Sequence, residues 1–359
     1  VPSRSASLRL QALWYAHARP PWPLRLLAAI FGAAVRVRTA LYRRGWLAAQ
    51  PLPRPVIVVG NLTVGGSGKT PLVVWLCEQL SAAGWRPGVI LRGYGGSAAA
   101  SGVALRVEPH SDPAVVGDEA LLLRGRTGAP VAVCPDRVRA ARMLLDDGVD
   151  VLIADDGLQH LRLPRCFEIV VVDAERGFGN GRLLPAGPLR EPVSRLARVD
   201  ALVVHGVPEA ALAVPHGVRA CRYAMRLRGA WLRPLDQAGR GEDAGTRLAL
   251  DALAGRRVHA LAGIGNPQRF FALLRAAGLE LIEHPLPDHA RFRPEQLEFA
   301  DGLPVLMTEK DAVKCRAFGG TDRWYLPIAA SFSEADARSL RDALERALAA
   351  FGGDGLREK

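Results

Sequence analysis

The sequence predicts an α/β protein: a mostly parallel sheet with helices on both faces, a second and smaller α/β domain, and an amphipathic helix at the N-terminus. Three observations predict this. Short β-branched runs alternate with helical stretches from Pro55 onward, a Gly-rich loop separates the first such run from a helix, and the start of the chain is rich in arginine and free of acids. Alternation of this kind belongs to doubly wound sheets, and strands that are apolar throughout are buried on both faces.

The runs are PVIVVG (55–60), PGVIL (87–91), VAVC (131–134), VDVLIADD (149–156), FEIVVVD (167–173) and ALVVHG (201–206), with helices over 69–83 and 136–145. Residues 207–255 break the rhythm. An extended stretch at 218–235 and a Gly-rich turn region at 239–245 read as a linker that could close as a two-stranded hairpin. Alternation resumes at VHALAGIG (258–265) and continues through a helix from 267, LELIEH (279–284), PVLMTEK (304–310) and WYLPI (324–328), before a last helix over 333–350. The expected divisions are 1–50, an N-terminal membrane-associating segment; 51–206, the main sheet; 207–255, the linker; 256–330, the smaller domain; and 331–359, the C-terminal helix and tail.

At 359 residues, 49% hydrophobic and 23% charged, the chain is a packed protein of about two domains, not a disordered one. Its net charge of +11 suits an anionic partner: nucleic acid, acidic lipid or nucleotide. No Asp or Glu precedes Glu78, whereas nine arginines do, so the excess charge is largely N-terminal. No recognisable nucleic-acid module with interleaved aromatic residues accompanies it. The five cysteines lie far apart without a CxxC pair, which argues against a zinc site or a disulfide framework and fits a reducing compartment.

The apolar run at 26–35 is about half the ~20 residues a membrane span needs. Read as a helix from residue 24, the segment places Leu24, Leu27, Phe31, Val35, Tyr42 and Trp46 on one side, with Arg25, Arg36 and Arg43 in a stripe beside them. Such a helix suits the headgroup region of an anionic membrane; packing on the protein's own core and a targeting segment are the competing readings.

Thr63-Val64-Gly65-Gly66-Ser67-Gly68-Lys69-Thr70 follows an apolar strand and opens a helix. This is the setting of the P-loop of nucleoside triphosphate-binding proteins. Backbone N–H groups turn inward on phosphate oxygens, Lys69 carries charge to the β and γ phosphates, and the Thr70 hydroxyl can ligate Mg²⁺. Thr63 stands where the motif usually has its first glycine. Asp155 and Asp156 end an apolar strand, as expected of the strand that holds Mg²⁺, although a strand-end Asp is also a common turn former. ATP and Mg²⁺ are therefore the expected cofactors. A regulatory GTPase is disfavoured because Thr308-Glu309-Lys310-Asp311 carries its lysine one place too late for guanine reading, and Val64 replaces the lysine of partition-type ATPases.

An ordered set of further motifs runs along the chain: GNLTVGGSGKTP (60–71), RGYGG (92–96), GDEA (117–120), ADDGLQH (154–160), LLPAGPLRE (183–191), AGIGNPQRF (262–270), LPDHARF (286–292) and TEKDAVK (308–314). In these the chain resembles the tetraacyldisaccharide 4'-kinase family over about residues 20–330. The resemblance implies transfer of the γ-phosphate of ATP to the 4'-hydroxyl of a lipid disaccharide 1-phosphate, at the cytoplasmic face of the bacterial inner membrane, with no obligate protein partner. It implies Asp118 as the base and His289 as its partner, beside Lys69 as a catalytic cation. Arg190, fixed in charge and forked in geometry, suits a catalytic contact with the γ-phosphate or the substrate phosphate, with a solvated loop arginine as the alternative. Asp118 could instead be a helix cap and His289 a structural histidine. Glu119 is expected to help bind Mg²⁺ or substrate, with an exposed first-turn acid as the alternative. Arg92, Tyr94, Asn61 and Gln159 are the expected substrate contacts; RGYGG could equally be a plain turn, and Gln159 structural. The competing functions are a membrane-associated P-loop ATPase that acts as a switch or assembly factor, and a P-loop kinase of a different small acceptor.

Overall fold

The computed structural model describes residues 12–15, 19–66, 68–206, 218–238, 246–288 and 290–354. The chain divides into two compact units. The first comprises Val1–Lys69, Asp156–Arg226 and Phe332–Lys359, and the second Thr70–Asp155 and Leu227–Ser331.

In the first unit, β1 (Val56–Gly60), β6 (Phe167–Asp173), β7 (Ala201–His205) and β8 (Cys221–Arg228) lie in the order β8-β7-β6-β1. All three pairings are parallel, with Ile57 opposite Phe167, Val170 opposite Leu202 and Val203 opposite Tyr223. Every residue of β1, β6 and β7 is buried; their apolar runs account for most positions, and the polar Glu168, Asp173 and His205 are buried with them. Helix α1 (Trp22–Arg43) begins with proline in its first turn, where a missing N–H costs nothing.

In the second unit, β5 (Val151–Asp155), β2 (Pro87–Leu91) and β4 (Val131–Val133) are parallel neighbours, and β3 (Leu105–Arg106) adds antiparallel to β4. Helices α2 (Lys69–Ala82), α3 (Asp118–Thr127) and α4 (Arg137–Leu145) accompany them, with Lys69 alone of α2 belonging to the first unit.

The same unit holds a six-stranded sheet of β9 (Trp231–Pro234), β10 (Leu248–Ala249), β11 (Arg257–Ala262), β12 (Glu280–Pro285), β13 (Val305–Thr308) and β14 (Arg323–Leu326), ordered β10-β9-β14-β13-β11-β12. Its period-two alternation serves two cores. Val258, Ala260 and Leu306 pack with Phe270, Phe271 and Leu274 of α5 (Pro267–Ala276), while Leu261, Val305 and Met307 pack with Ala312 and Cys315 of α6 (Glu309–Cys315). The extended stretch at 218–235 supplies β8 and β9, which take different partners: β8 runs parallel to β7, whereas β9 runs antiparallel to β10 and β14. The two strands therefore do not form a hairpin with each other. Helix α7 (Glu334–Asp354) closes the described chain in the first unit, where Ala224 N–H donates to Asp336 at 3.4 Å.

Helix α1 carries apolar side chains on two faces. Ala28 and Gly32 are buried, with Leu24, Phe31, Val35 and Tyr42 half-buried beside them, and a Cβ on Gly32 would sit 2.7 Å from Leu183. Trp22 (73% exposed), Leu26, Leu27, Ile30 (60%) and Val37 face outward. The single apolar stripe expected from the sequence is thus divided: Leu27 and Trp46 are exposed, and the other four turn toward the protein.

Candidate active site

Two polar clusters collect most of the motif residues, one in each unit. In the first unit, β1 delivers the chain into the Gly-rich loop. Asn61 is 1% exposed. Its Nδ2 donates to the Gly65 carbonyl at 3.3 Å, and its Oδ1 accepts from Lys69 Nζ at 3.2 Å. Lys69 also pairs with Asp156 Oδ1 at 3.4 Å, and Arg190 Nη1 holds Asp156 Oδ2 at 2.8 Å. Gln159 closes the ring by accepting from Arg190 at 3.3 Å and donating to the Asn61 carbonyl at 3.3 Å. Asp156 therefore lies between two cations, an arrangement that fixes the lysine ammonium at the base of the loop.

The LLPAGPLRE segment is stitched to this loop. Val64 N–H donates to the Pro188 carbonyl at 2.9 Å, Arg190 N–H donates to the Leu62 carbonyl at 2.7 Å, and Thr63 bridges Leu189. Behind it, Arg195 binds both Glu168 oxygens at 2.5 and 2.6 Å and Glu191 at 3.4 Å, anchoring the residue next to Arg190. Gly68 has φ +72°, and a Cβ there would lie 2.8 Å from His205 Nε2, so no other residue fits without movement. Ser67 lies outside the described residues. Gly66 is exposed, and Thr70 is half-buried in the first turn of α2.

In the second unit, Asp118 opens α3 at 4% exposure, its Oδ1 accepting from Glu119 N–H at 2.9 Å. Lys314 Nζ stands 3.9 Å from Asp118 Oδ2 and 2.7 Å from Asp311 Oδ1. Asp311 is fully buried and is fixed by Thr308 Oγ1 at 2.6 Å and Gly263 N–H at 2.8 Å. Lys310 binds Glu119 at 3.1 Å and Asp288 at 3.4 Å. Burial draws the Lys310 ammonium toward neutrality, but the carboxylates of Glu119, Asp118 and Asp288 outweigh it and raise its pKa. The GDEA, LPDHARF, AGIGNPQRF and TEKDAVK motifs thus meet in one network. His289, expected to partner Asp118, lies outside the described residues. Gly117 has φ +90°, and a Cβ on it would meet the Tyr94 carbonyl at 2.6 Å, which presses RGYGG against GDEA. Tyr94 is 64% exposed, and Arg92 is exposed as well.

TEKDAVK is legible in the sequence as a motif, but no role for Lys310, Asp311 or Lys314 follows from it. Their signal was the i, i+4 spacing of the two lysines on a short helix with acids in its first turn. Asp155 is buried at the end of β5. Thr70, Asp155 and Asp156 offer only hydroxyl and carboxylate oxygens, the donor chemistry that Mg²⁺ takes, and among the described residues no group of three or more His, Cys, Asp or Glu forms a closed metal cage.

A parallel sheet whose first strand runs through a lysine-bearing glycine loop into a helix, with a strand-end carboxylate against that lysine, defines a P-loop nucleoside triphosphate-binding protein. The family model described as Tetraacyldisaccharide-1-P 4'-kinase matches residues 20–349. The tetraacyldisaccharide 4'-kinase of Alkalilimnicola ehrlichii is 48% identical over 339 residues, covering 94% of this chain and 96% of that protein. That of Stenotrophomonas maltophilia is 47% identical over 335 residues, covering 93% and 96%. The crystal structure of the "apo" form of LpxK from Aquifex aeolicus in complex with ATP superposes with a TM-score of 0.75 at 28% identity, covering 90% of this chain and 97% of that one. The chain belongs to the tetraacyldisaccharide-1-P 4'-kinase family.

Proposed function

We propose that this protein transfers the γ-phosphate of ATP to the 4'-hydroxyl of a tetraacyldisaccharide 1-phosphate, working at the cytoplasmic face of the bacterial inner membrane. The observation that carries this reading is the ring of Asn61, Lys69, Asp156, Gln159 and Arg190 at the base of the glycine loop, in a chain of this family. Phosphoryl transfer asks a protein chiefly for positioning and for cations at the phosphate oxygens. Lys69 meets the β and γ phosphates, the loop amides cradle them, and Arg190 steadies Asp156. Mg²⁺, when bound by Thr70, Asp155 and Asp156, supplies charge neutralisation of the polyphosphate.

A sugar hydroxyl needs a group to take its proton. Asp118 serves as that base in this reading, with His289 as its partner. Lys314 pairs with Asp118 and Asp311 and Lys310 with Glu119 and Asp288, which makes Glu119 a support for the acid cluster or a second-rank metal ligand. Arg92, Tyr94 and Gln159 remain the substrate contacts proposed. Asn61, enclosed and committed to Lys69 and Gly65, acts on the loop from within.

The outward face of α1, with Trp22, Leu26, Leu27, Ile30 and Val37 among arginines, supports seating on an anionic bilayer. Among the described residues no helix is long and apolar enough to cross a membrane. The test uses purified protein, Mg²⁺, γ-labelled ATP and the disaccharide lipid. Label should appear on the lipid; Lys69→Ala should abolish transfer, and Asp118→Ala should cut turnover by about a hundredfold or more with little change in ATP affinity. Free phosphate without labelled lipid would favour an ATPase switch, and label on a soluble acceptor a different kinase.

A further inference from the structure

One more cation stands against the phosphate loop, and none of the roles above includes it. Arg176 lies in the turn after β6, with its Nη1 3.6 Å from the point a Cβ on Gly65 would occupy. Its guanidinium carbon is 5.6 Å from the centre of the Tyr15 ring. The turn is pinned by backbone bonds: Ala174 N–H to the His205 carbonyl at 2.7 Å, Gly177 N–H to the Asp173 carbonyl at 2.7 Å, and Gly179 N–H to the Arg176 carbonyl at 3.0 Å. Asp173 Oδ1 also accepts from Glu175 N–H at 3.1 Å. The residue is carried on a fixed frame, not on a loose loop.

Position along the loop says what this group meets. Amides at the helix start hold the α and β phosphates, and the lysine reaches the β and γ. Gly65 lies two residues after Thr63 and four before Lys69, on the arm of the loop away from the helix start, so a guanidinium against it stands past the β phosphate, beside the terminal one. Arg190 has a different commitment, since Asp156 and Gln159 both bind its Nη1.

We propose that Arg176 contacts the terminal phosphate of the bound nucleoside triphosphate and stabilises the charge on it during transfer, an arginine finger supplied by the same chain. The inference rests on the reading above that this loop holds a triphosphate whose terminal phosphoryl group moves. In that step the bond from the terminal phosphorus to the β–γ bridging oxygen breaks, leaving the diphosphate. A bond from phosphorus to the acceptor's hydroxyl oxygen forms, and the hydroxyl proton passes to a base. Arg176 neither gains nor loses a proton. Its planar fork bridges two of the phosphoryl oxygens, which a lysine ammonium cannot do in the same geometry.

The experiment compares the full-length protein with Arg176→Ala and Arg176→Lys. It measures turnover, ADP affinity, and ADP affinity with Mg²⁺ and aluminium fluoride, a mimic of the phosphoryl group in flight. Arg176→Ala should lose about a thousandfold or more in turnover, the lower side of what such arginines contribute. Its ADP affinity should stay within about threefold of the parent, and aluminium fluoride should no longer tighten ADP binding. Arg176→Lys should recover only a small part. Turnover of the alanine variant within about threefold of the parent, or ADP affinity falling in step with turnover, overturns the proposal. Fluoride-enhanced ADP binding that depends on Arg176 in a protein unable to label the disaccharide lipid would leave the finger standing and remove the acceptor assignment.

Discussion

At the scale of single residues, the phosphate loop depends on contacts that leave no room for a methyl group. Alanine at Gly68 would hold an L-residue at φ +72° with its Cβ 2.8 Å from the His205 ring. The left-handed region costs a non-glycine residue about 1–2 kcal/mol. Gly68→Ala should therefore weaken nucleotide binding by about tenfold or more by calorimetry while leaving the sheet intact; unchanged affinity would mean the loop has another conformation when loaded. The same scale shows what residue types alone convey. Lys69 and Asp156 announce a phosphate site from their motifs, but Asn61, grouped with the substrate contacts on sequence grounds, sits enclosed beneath the loop because its amide bridges Gly65 and Lys69.

At the scale of elements, α1 and the second sheet make separate claims. The outward apolar face of α1 has no partner of its own kind among the described contacts, and Ile30→Glu should reduce binding to vesicles containing anionic lipid by about tenfold, since burying an Ile side chain is worth roughly 1.5–3 kcal/mol. Sedimentation with vesicles measures this, and retained binding would assign that face another use. In the second sheet, His259 Nδ1 meets His284 Nε2 at 2.9 Å, and its Nε2 meets Asp301 at 3.1 Å, while Phe299 stacks on the ring at 3.6 Å. Burial and then the His259 charge lower the pKa of His284 below the ordinary 6.5. The His259 hydrogen bond lowers that of Asp301 below 3.8. An imidazole with a lowered pKa takes up a proton on unfolding, so its contribution is complete above pH 6.5 and declines as pH falls below that value. The Asp301 contribution is present above 3.8 and is lost as pH falls through its lower folded value. Urea midpoints should thus drop between pH 7.5 and about 5, and His284→Gln should flatten that drop; an equal drop in the variant would place the sensitivity elsewhere.

At the scale of the whole molecule, charge and ligand linkage dominate. The +11 net charge, concentrated before Glu78, makes vesicle association weaken with added salt as the Debye length shrinks. A nucleotide that binds only the folded chain stabilises it by about 2.7 kcal/mol at a hundredfold excess over its dissociation constant. Mg²⁺-ATP should therefore raise the thermal unfolding midpoint of the parent protein and leave that of Lys69→Ala nearly unmoved. A parent protein indifferent to Mg²⁺-ATP would contradict the site. Two units within one chain also mean that unfolding can proceed in more than one step, so each transition is followed separately.

The sequence by itself determined the parallel sheets, the glycine loop and the family, because strand periodicity, loop chemistry and ordered motifs are short-range properties written in contiguous residues. The apolar residues of β1, β6 and β7 are buried as their runs imply, whereas the burial of Glu168, Asp173 and His205 in the same strands depends on what packs around them. Tertiary structure alone decided which side chains meet. Lys310 reaches Glu119 across 191 positions and Gly263 reaches Asp311 across 48. Strand order, not spacing, sets such meetings. The division of α1 into an inner and an outer apolar face, and the approach of Arg176 to Gly65, have the same origin: a helical wheel records which residues share a side, but only packing against neighbouring segments determines which sides are covered and which charges come within reach.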